Sequence, residues 1–199
     1  VCHGVVNEGI AMNNNRAIEM CRGVYVAFCD HDDLLTPDAL FEVARAIEVT
    51  NADMLYSDED KIYADFRHFY YEPNLKPDFS MDTLLSSNYI CHLTVVRRSL
   101  LEKIGGFRAG YDGSQDYDLI LRITEETNQI HHISKVLYHW RMHSSSMSHQ
   151  KIDQCEENAQ KAIQDHLRRI GLEAEVFRKH PFQQVEYLIR DRSKLSVIL

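Results

Sequence analysis

The sequence predicts an α/β domain built on a mixed, mainly parallel sheet flanked by helices, and three observations carry that prediction. Val24-Tyr25-Val26-Ala27-Phe28 is a short apolar run of strand formers that ends abruptly in acid, as a strand buried on both faces of such a sheet would. Thr36-Pro37-Asp38 supplies a helix start with a cap residue and a proline in the first turn. Leu40, Val43, Ala44 and Ile47 then recur at i, i+3, i+4 and i+7, one apolar face packed on the sheet. Asp53-Met54-Leu55-Tyr56-Ser57 is a second short strand, and strand, helix, strand with short connections implies parallel pairing through a crossover.

A chain of 199 residues buries one good core. Its net charge of −8 argues against a nucleic-acid or anionic-membrane surface. No apolar stretch is long enough to span a bilayer and no signal peptide is visible, which predicts a cytoplasmic domain, at most peripheral to the inner face of the membrane. Five cysteines, odd in number and without metal-type spacing, read as reduced thiols rather than a disulfide framework or a zinc site. Opening on Val1 without an initiator Met suggests a slice of a longer protein.

The remaining elements follow in order. Val1 to Val6 reads as a strand end, and a helix from about Asn13 to Cys21 is stopped by Gly23. After the second strand comes acid again, Asp58-Glu59-Asp60, and then a patternless aromatic excursion from Tyr63 to Phe79 across the mouth of a crevice. Met81 to Ser87 is a short helix, Ile90 to Val96 a weakly alternating strand, and Arg98 to Ile104 a helix closed by Gly105-Gly106. A Gly-rich loop from Phe107 to Gly113 leads into a helix reaching about Glu126. Ile130 to Ile133 and Val136 to Arg141 predict two short strands, and Ser144-Ser145-Ser146 breaks the pattern. Asp153 to Ile170 is an amphipathic helix ended by Gly171, followed by strand-like pieces at Val185 to Ile189 and Leu195 to Leu199.

Chemistry gathers at the end of the first apolar run. Asp30, Asp32 and Asp33 within four positions repel one another unless a cation holds them, and oxygen-rich clusters suit Mg²⁺ or Mn²⁺, which bind through one or two carboxylates plus substrate phosphates. The plain alternative is an acidic turn capping the next helix, which covers Asp33 well. Asp116, at the start of a helix after a Gly-rich loop, reads from pattern alone as an N-cap. His131 and His132 are adjacent on a strand and point to opposite faces, so they read as structural.

Taken together, these segments resemble family 2 glycosyltransferases of the GT-A fold. The landmarks are Asn15-Arg16-Ala17-Ile18, Gly23-x-Tyr25-Val26, Asp30-His31-Asp32-Asp33-Leu34 and Pro37-Asp38-Ala39-Leu40. Further on stand Tyr56-Ser57-Asp58-Glu59-Asp60-Lys61, Lys76-Pro77-Asp78, Gly105-Gly106-Phe107, Gln115-Asp116-Tyr117-Asp118-Leu119 and Leu137-Tyr138-His139-Trp140-Arg141-x-His143. The likeness runs from about Val1 to Ser148 in order and spacing. It implies an inverting, metal-dependent transfer of sugar from a nucleoside-diphosphate donor to a glycan or lipid-linked acceptor, with Mg²⁺ or Mn²⁺ as cofactor. Asp30-x-Asp32 matches the DXD motif, so Asp32 is expected to face the metal with Asp30 aiding metal or ribose binding. Asp116 matches the carboxylate that deprotonates the acceptor, and His143 a histidine that touches metal or diphosphate. Gln115 stands where the family often has Glu.

Other residues keep two readings. Arg141 adds positive charge beside the phosphates or is a solvated strand end. Asp58 and Asp60 line the cleft or sit in a solvated loop. Trp140 and the aromatics from Tyr63 to Tyr71 stack on a sugar or pack in the core.

Relative to the family, the first βα units are missing, which implies residues 1–150 as a partial transferase domain, 151–193 as a C-terminal helix and linker strands, and 194–199 as the possible start of a second, neighbouring transferase domain. Two other functions stay open: a non-catalytic sugar-nucleotide-binding or scaffold domain of the same fold, and a metal-dependent phosphohydrolase built on Asp30-His31-Asp32.

Overall fold

The computed structural model describes residues 8–63, 66–142, 152–188 and 190, with only the backbone of residues 66–68. His143, Ser144-Ser145-Ser146, the Val1 to Val6 segment and the 194–199 segment lie outside the described residues. The elements in order are α1 (Ile10–Met20), β1 (Tyr25–Phe28), β2 (Leu34–Leu35), α2 (Ala39–Thr50), β3 (Met54–Tyr63) and β4 (Phe66–Asn74). There follow α3 (Met81–Ser86), β5 (Thr94–Arg97), α4 (Arg98–Ile104), α5 (Gln115–Thr124), β6 (Ile130–Met142), α6 (Ile152–Arg169), β7 (Ala174–Lys179) and β8 (Phe182–Tyr187).

β3 is the spine of a six-stranded mixed sheet in the order β1-β5-β3-β6-β2. Its first residues pair with β5, its later residues pair with β4 on the same edge, and β6 runs parallel along the other edge from Met54↔Ile130 to Tyr63↔Met142. The expected α/β architecture holds, but the expected mainly parallel pairing does not: β3 with β6 is the one parallel pair among the described strands. β1 and β3 do point the same way, as a crossover through α2 requires. The antiparallel β5 is inserted between them, with Val26 and Met54 both opposite Val96.

That insertion leaves β1 at the edge of the described sheet, and only Val26 of the strand is fully buried, so the two-faced burial expected of it is not found. Other boundaries shift for similar reasons. β3 continues for 10 residues through the acidic run instead of ending at Ser57, and the Tyr63 to Phe79 excursion contains β4, its hairpin partner. The two short strands expected near residues 130–141 are one strand, β6, bulged opposite Ser57, Asp58 and Glu59. α2 buries Ala39, Glu42 and Val43, while Leu40 and Phe41 face outward.

Two apolar clusters fill the faces of the sheet. One joins Met54, Tyr56, Val96 and Leu84 to Tyr117, Leu119, Ile120, Leu121 and Ile123 of α5 and to Ala162, Ile163 and Leu167 of α6. The other joins Leu55, Val95 and Tyr138 to Ala39 and Val43 of α2. No helix among the described residues is long and apolar enough to cross a membrane.

The start of α5 is held from three sides. Asn15 of α1 pairs both main-chain polar groups of Phe107, accepting from its N–H at 2.7 Å and donating to its carbonyl at 2.8 Å. Gly106, with φ +68°, is required there, since a Cβ would stand 2.3 Å from Asn15 Oδ1. Asp118, fully buried, accepts from Arg108 and from Arg122 Nε at 2.9 Å, and Arg122 in turn donates to the carbonyls of Ile104 and Gly106 that end α4. A buried carboxylate satisfied by two guanidinium groups is costly to disrupt, because removing it strands their charges away from water. Replacing Asp118 by Ala is expected to destabilise the fold by about 3–5 kcal/mol in urea unfolding, and Asp165→Ala, at the half-exposed end of the same arginine cluster, by much less.

Candidate active site

The loop after β1 is fixed by β6. The Asp30 N–H donates to the Tyr138 hydroxyl at 3.1 Å, and that hydroxyl donates to Asp33 Oδ2. Asp33 Oδ1 accepts from the Arg141 N–H at 2.7 Å, and Arg141 Nε donates to the Asp32 carbonyl at 2.6 Å. These anchors are main-chain groups, the Tyr138 hydroxyl, the Arg141 guanidinium and the Asp33 carboxylate, and the Asp30 and Asp32 side chains stay 64% and 40% exposed. Burial pushes the Asp33 carboxyl above its usual range, against the hydrogen bonds from Tyr138 and Arg141 that lower it. Asp33 is thus a brace of the loop, and Arg141 likewise bonds to that loop through its main-chain N–H and its Nε.

Facing this loop, Asp116 is the second residue of α5. The capping position belongs to Ser114, whose hydroxyl instead donates to the Cys155 carbonyl at 2.7 Å, so Asp116 is not the N-cap that pattern alone suggests. Its Oδ2 accepts from Asn88 Nδ2 at 3.0 Å and from the Cys91 thiol at 2.8 Å. The helix N-terminus favours a carboxylate at this position. Burial, followed by the nearby Asp116 charge and its hydrogen bond, pushes the Cys91 thiol well above its ordinary pKa, so it stays a neutral donor. Gln115 folds back to accept from the Gly113 N–H at 2.7 Å.

Asp30, Gln115 and Asp116 line one cavity of about 130 Å³, together with Cys29, Cys91 and His92. Asp58 and Asp60 do not line it. Asp58 is buried, accepting from the Lys76 N–H at 2.8 Å and standing 2.8 Å from His132 Nε2, and Asp60 lies 2.5 Å from His139 Nδ1. His132, stacked on Tyr56 at 4.9 Å, is structural, as its place in an alternating strand implies. Trp140 is half-buried, its ring 5.9 Å from that of His92 and under the Lys61 ammonium at 5.7 Å.

Sequence reasoning missed His92, Glu59 and Lys76. Glu59 Oε2 accepts from the His92 N–H at 2.6 Å and lies 3.1 Å from its Nδ1. That leaves Nε2 turned toward the cavity, 4.0 Å from Asp30 Oδ2. Beneath them the buried Lys76 ammonium donates to the carbonyls of Ile90 at 3.0 Å and His92 at 2.5 Å, with Glu59 3.8 Å away. Burial depresses the Lys76 pKa, against the pull of Glu59. The signals available were two landmarks, Tyr56-Ser57-Asp58-Glu59-Asp60-Lys61 for Glu59 and Lys76-Pro77-Asp78 for Lys76, while nothing in the Ile90 to Val96 pattern marks His92 out.

No cluster of three or more His, Cys, Asp or Glu side chains that would hold a metal ion is assembled among the described residues. The donor set still suits a hard cation of the Mg²⁺ or Mn²⁺ kind. Asp30 and Asp32 present partly exposed carboxylates from one loop, and such ions take one or two carboxylates and complete their shell with water and phosphate oxygens.

A sheet of this order, with an acidic loop at the end of β1 facing a helix-borne carboxylate, is that of a GT-A domain. The structure of S. aureus TarS residues 1–349 in complex with UDP-GlcNAc superposes with a TM-score of 0.64, at 17% sequence identity, covering 83% of this chain and 48% of that one. The model of glycosyl transferase family 2 matches residues 1–105, and the chain belongs to that family. It is 39% identical over 193 residues to the O-antigen biosynthesis protein RfbC of Myxococcus xanthus, covering 95% of this chain and 15% of that protein. With the chondroitin synthase of Escherichia coli it shares 28% identity over 172 residues, 83% of this chain and 24% of that protein. The chain therefore spans less than a quarter of the length of these two relatives.

The Glu59–His92 pair makes a pH prediction. Burial opposes both charges, but the hydrogen bond with His92 and the Lys76 charge hold Glu59 below its ordinary 4.5, and the bond to Glu59 with the charges of Glu59, Asp116 and Asp30 lifts His92 above its ordinary 6.5. Stability from Glu59 is then complete above pH 4.5 and fades as pH falls through its lower folded value, and that from His92 is complete below pH 6.5 and fades as pH rises through its higher one. Melting temperature followed against pH is expected to hold a plateau between these limits, and His92→Gln to flatten the alkaline decline.

Proposed function

We propose that this domain transfers a sugar from a nucleoside-diphosphate donor to a hydroxyl of a glycan acceptor with inversion, Asp116 acting as the base. The observation that carries the reading is that Asp116 and Asp30, 86 positions apart in the sequence, line the same cavity. In the step itself the acceptor oxygen attacks the anomeric carbon of the donor, its proton passes to the Asp116 carboxylate, and the bond from the sugar to the diphosphate oxygen breaks with its electrons leaving on the diphosphate. Attack from the side opposite the leaving group inverts the centre. Asn88 and Cys91, neutral donors to one oxygen of Asp116, orient the carboxylate. Asp30 and Asp32, with His143 as a further contact, would hold a Mg²⁺ or Mn²⁺ ion, which supplies neutralisation of the charge growing on the diphosphate.

The comparisons support this reading by analogy. The TarS domain is solved with UDP-GlcNAc and with UDP, and the relatives are named for O-antigen and chondroitin assembly. By the same analogy the acceptor is a growing surface polysaccharide, free or lipid-linked. The reading puts the domain in the cytoplasm, at the inner face of the membrane, beside another transferase domain of its polypeptide. A cavity of about 130 Å³ is smaller than the roughly 300–1,000 Å³ of a typical small-molecule site, so it suits the reacting sugar and the acceptor hydroxyl rather than the whole donor.

Asp116→Asn keeps the shape of the cavity and removes the base. Transfer of radiolabelled sugar from a panel of nucleotide sugars is expected to fall about 10²–10⁴-fold, with donor affinity by calorimetry unchanged. Transfer at the unaltered rate would sink the assignment and favour the non-catalytic reading. Asp32→Asn is expected to do the reverse, weakening Mn²⁺-dependent donor binding most.

A further inference from the structure

One surface next to the cavity has no role in this reading. Glu59, Lys61 and Tyr63 alternate to one side of β3, while Tyr138 and Trp140 stand opposite Glu59 and Lys61 on β6, and Tyr71 of β4 stands opposite Lys61. Contacts confirm the shared side. His92, in the cavity wall, stacks on Tyr138 at 4.9 Å and touches Trp140 at 5.9 Å. Lys61 lies over Trp140 at 5.7 Å, Tyr63 stacks on Tyr71 at 4.3 Å, and Phe69 closes the group at 5.8 Å from Tyr63 and 6.4 Å from Tyr71. The strip runs outward from the cavity for about 13 Å, four residues of β3 at roughly 3.3 Å each. At its outer end Phe69 is 58% and Tyr63 45% exposed.

Resting on the sugar-transfer reading, we infer that this strip is the track on which the acceptor lies, binding the uncharged sugar units behind the reacting hydroxyl. Continuity is the first argument. An acceptor hydroxyl presented to Asp116 leaves the rest of its chain to exit the cavity, and the strip begins at the cavity wall. Charge is the second. Lys61 is neutralised by Glu72 at 2.5 Å, and Glu59 is committed to His92 and Lys76, so among the described residues the strip offers ring surface with its charges paired and no net basic patch for a polyanion or an anionic bilayer. Area is the third. Three half-exposed aromatic rings present on the order of 300 Å², against about 800 Å² per partner in a stable protein interface. A pyranose, with an apolar C–H face and a polar rim, matches rings of this size one against one.

Binding of the whole chain to a glycan array carrying neutral and anionic oligosaccharides tests the track without requiring turnover. Wild-type chain is expected to bind neutral spots, Phe69→Ala to bind them about three- to tenfold more weakly, and Tyr63→Phe, which keeps its ring, to bind them normally. Phe69 is exposed enough that its loss leaves the fold intact, which circular dichroism checks. The inference is overturned if no neutral spot is bound, if Phe69→Ala binds as well as wild type, or if anionic spots or phosphatidylglycerol vesicles are preferred. It is equally overturned if the effect of Phe69→Ala is to dissolve a dimer. The base assignment is read from transfer by Asp116→Asn and the track from array binding by Phe69→Ala, so a failure of the one is distinguishable from a failure of the other.

Discussion

The arrangement depends on a buried ion pair, Lys76 with Glu59, beneath the segment that connects α3 to β5. Neither charge tolerates burial without partners, and each is provided for: Lys76 by the carbonyls of Ile90 and His92, Glu59 by the N–H and ring of His92 and by Asn74 at 3.0 Å. An irregular segment has no ladder to satisfy its main chain, so these two side chains substitute for one. The consequence is positional. With Ile90 and His92 fixed from below, Cys91 meets Asp116 on one side and His92 meets Asp30 on the other.

The pair itself is available because β3 is long and its neighbour is bulged. A regular strand through Ser57-Asp58-Glu59-Asp60 would send alternate carboxylates into the core without partners. The shift in register of β6 at Asp58 and Glu59 makes room for each acid to meet its own donor, His132 for Asp58, His92 for Glu59 and His139 for Asp60. Three carboxylates buried in succession, each against an imidazole, form a row that also bears on the loop after β1. The adjacent Tyr138 binds both that loop and the face of His92. Burial and its bond to Asp33 push the Tyr138 phenol far above its ordinary pKa, so it remains a donor throughout the physiological range.

How much of this was legible from the residues depended on whether the deciding partner was local. Helix punctuation was local, and Gly105 does end α4 in a left-handed conformation with its N–H on the Glu102 carbonyl. The two acidic centres were legible through their family spacing, though nothing in the pattern said that they would meet. What failed was set by distant partners. An acidic run reads as a loop unless its histidines, more than 30 positions away, are known to face it. On α2, two overlapping sets of apolar residues satisfy the helical period. Only the closeness of the sheet decides for Ala39, small enough to lie flat against it, over Leu40, which is 66% exposed. The edge position of β1 likewise follows from β5 folding back between β1 and β3, an event that strand–helix–strand order does not encode.

α5 shows how one turn of helix sends two carboxylates into different surroundings. Asp116 and Asp118 are two positions apart, so their side chains leave the helix in different directions. Asp118 points into the fold, where two arginines hold it between α4 and α6. Asp116 points into the cavity, where its bonded partners among the described residues are an amide and a thiol, neither able to carry positive charge. On the proposed reading of Asp116 as the base, a guanidinium there would work against proton removal by stabilising the ionised carboxylate. Keeping the arginines on Asp118 fixes the helix firmly, while the carboxylate two positions earlier is left to its amide and thiol donors at the cavity wall.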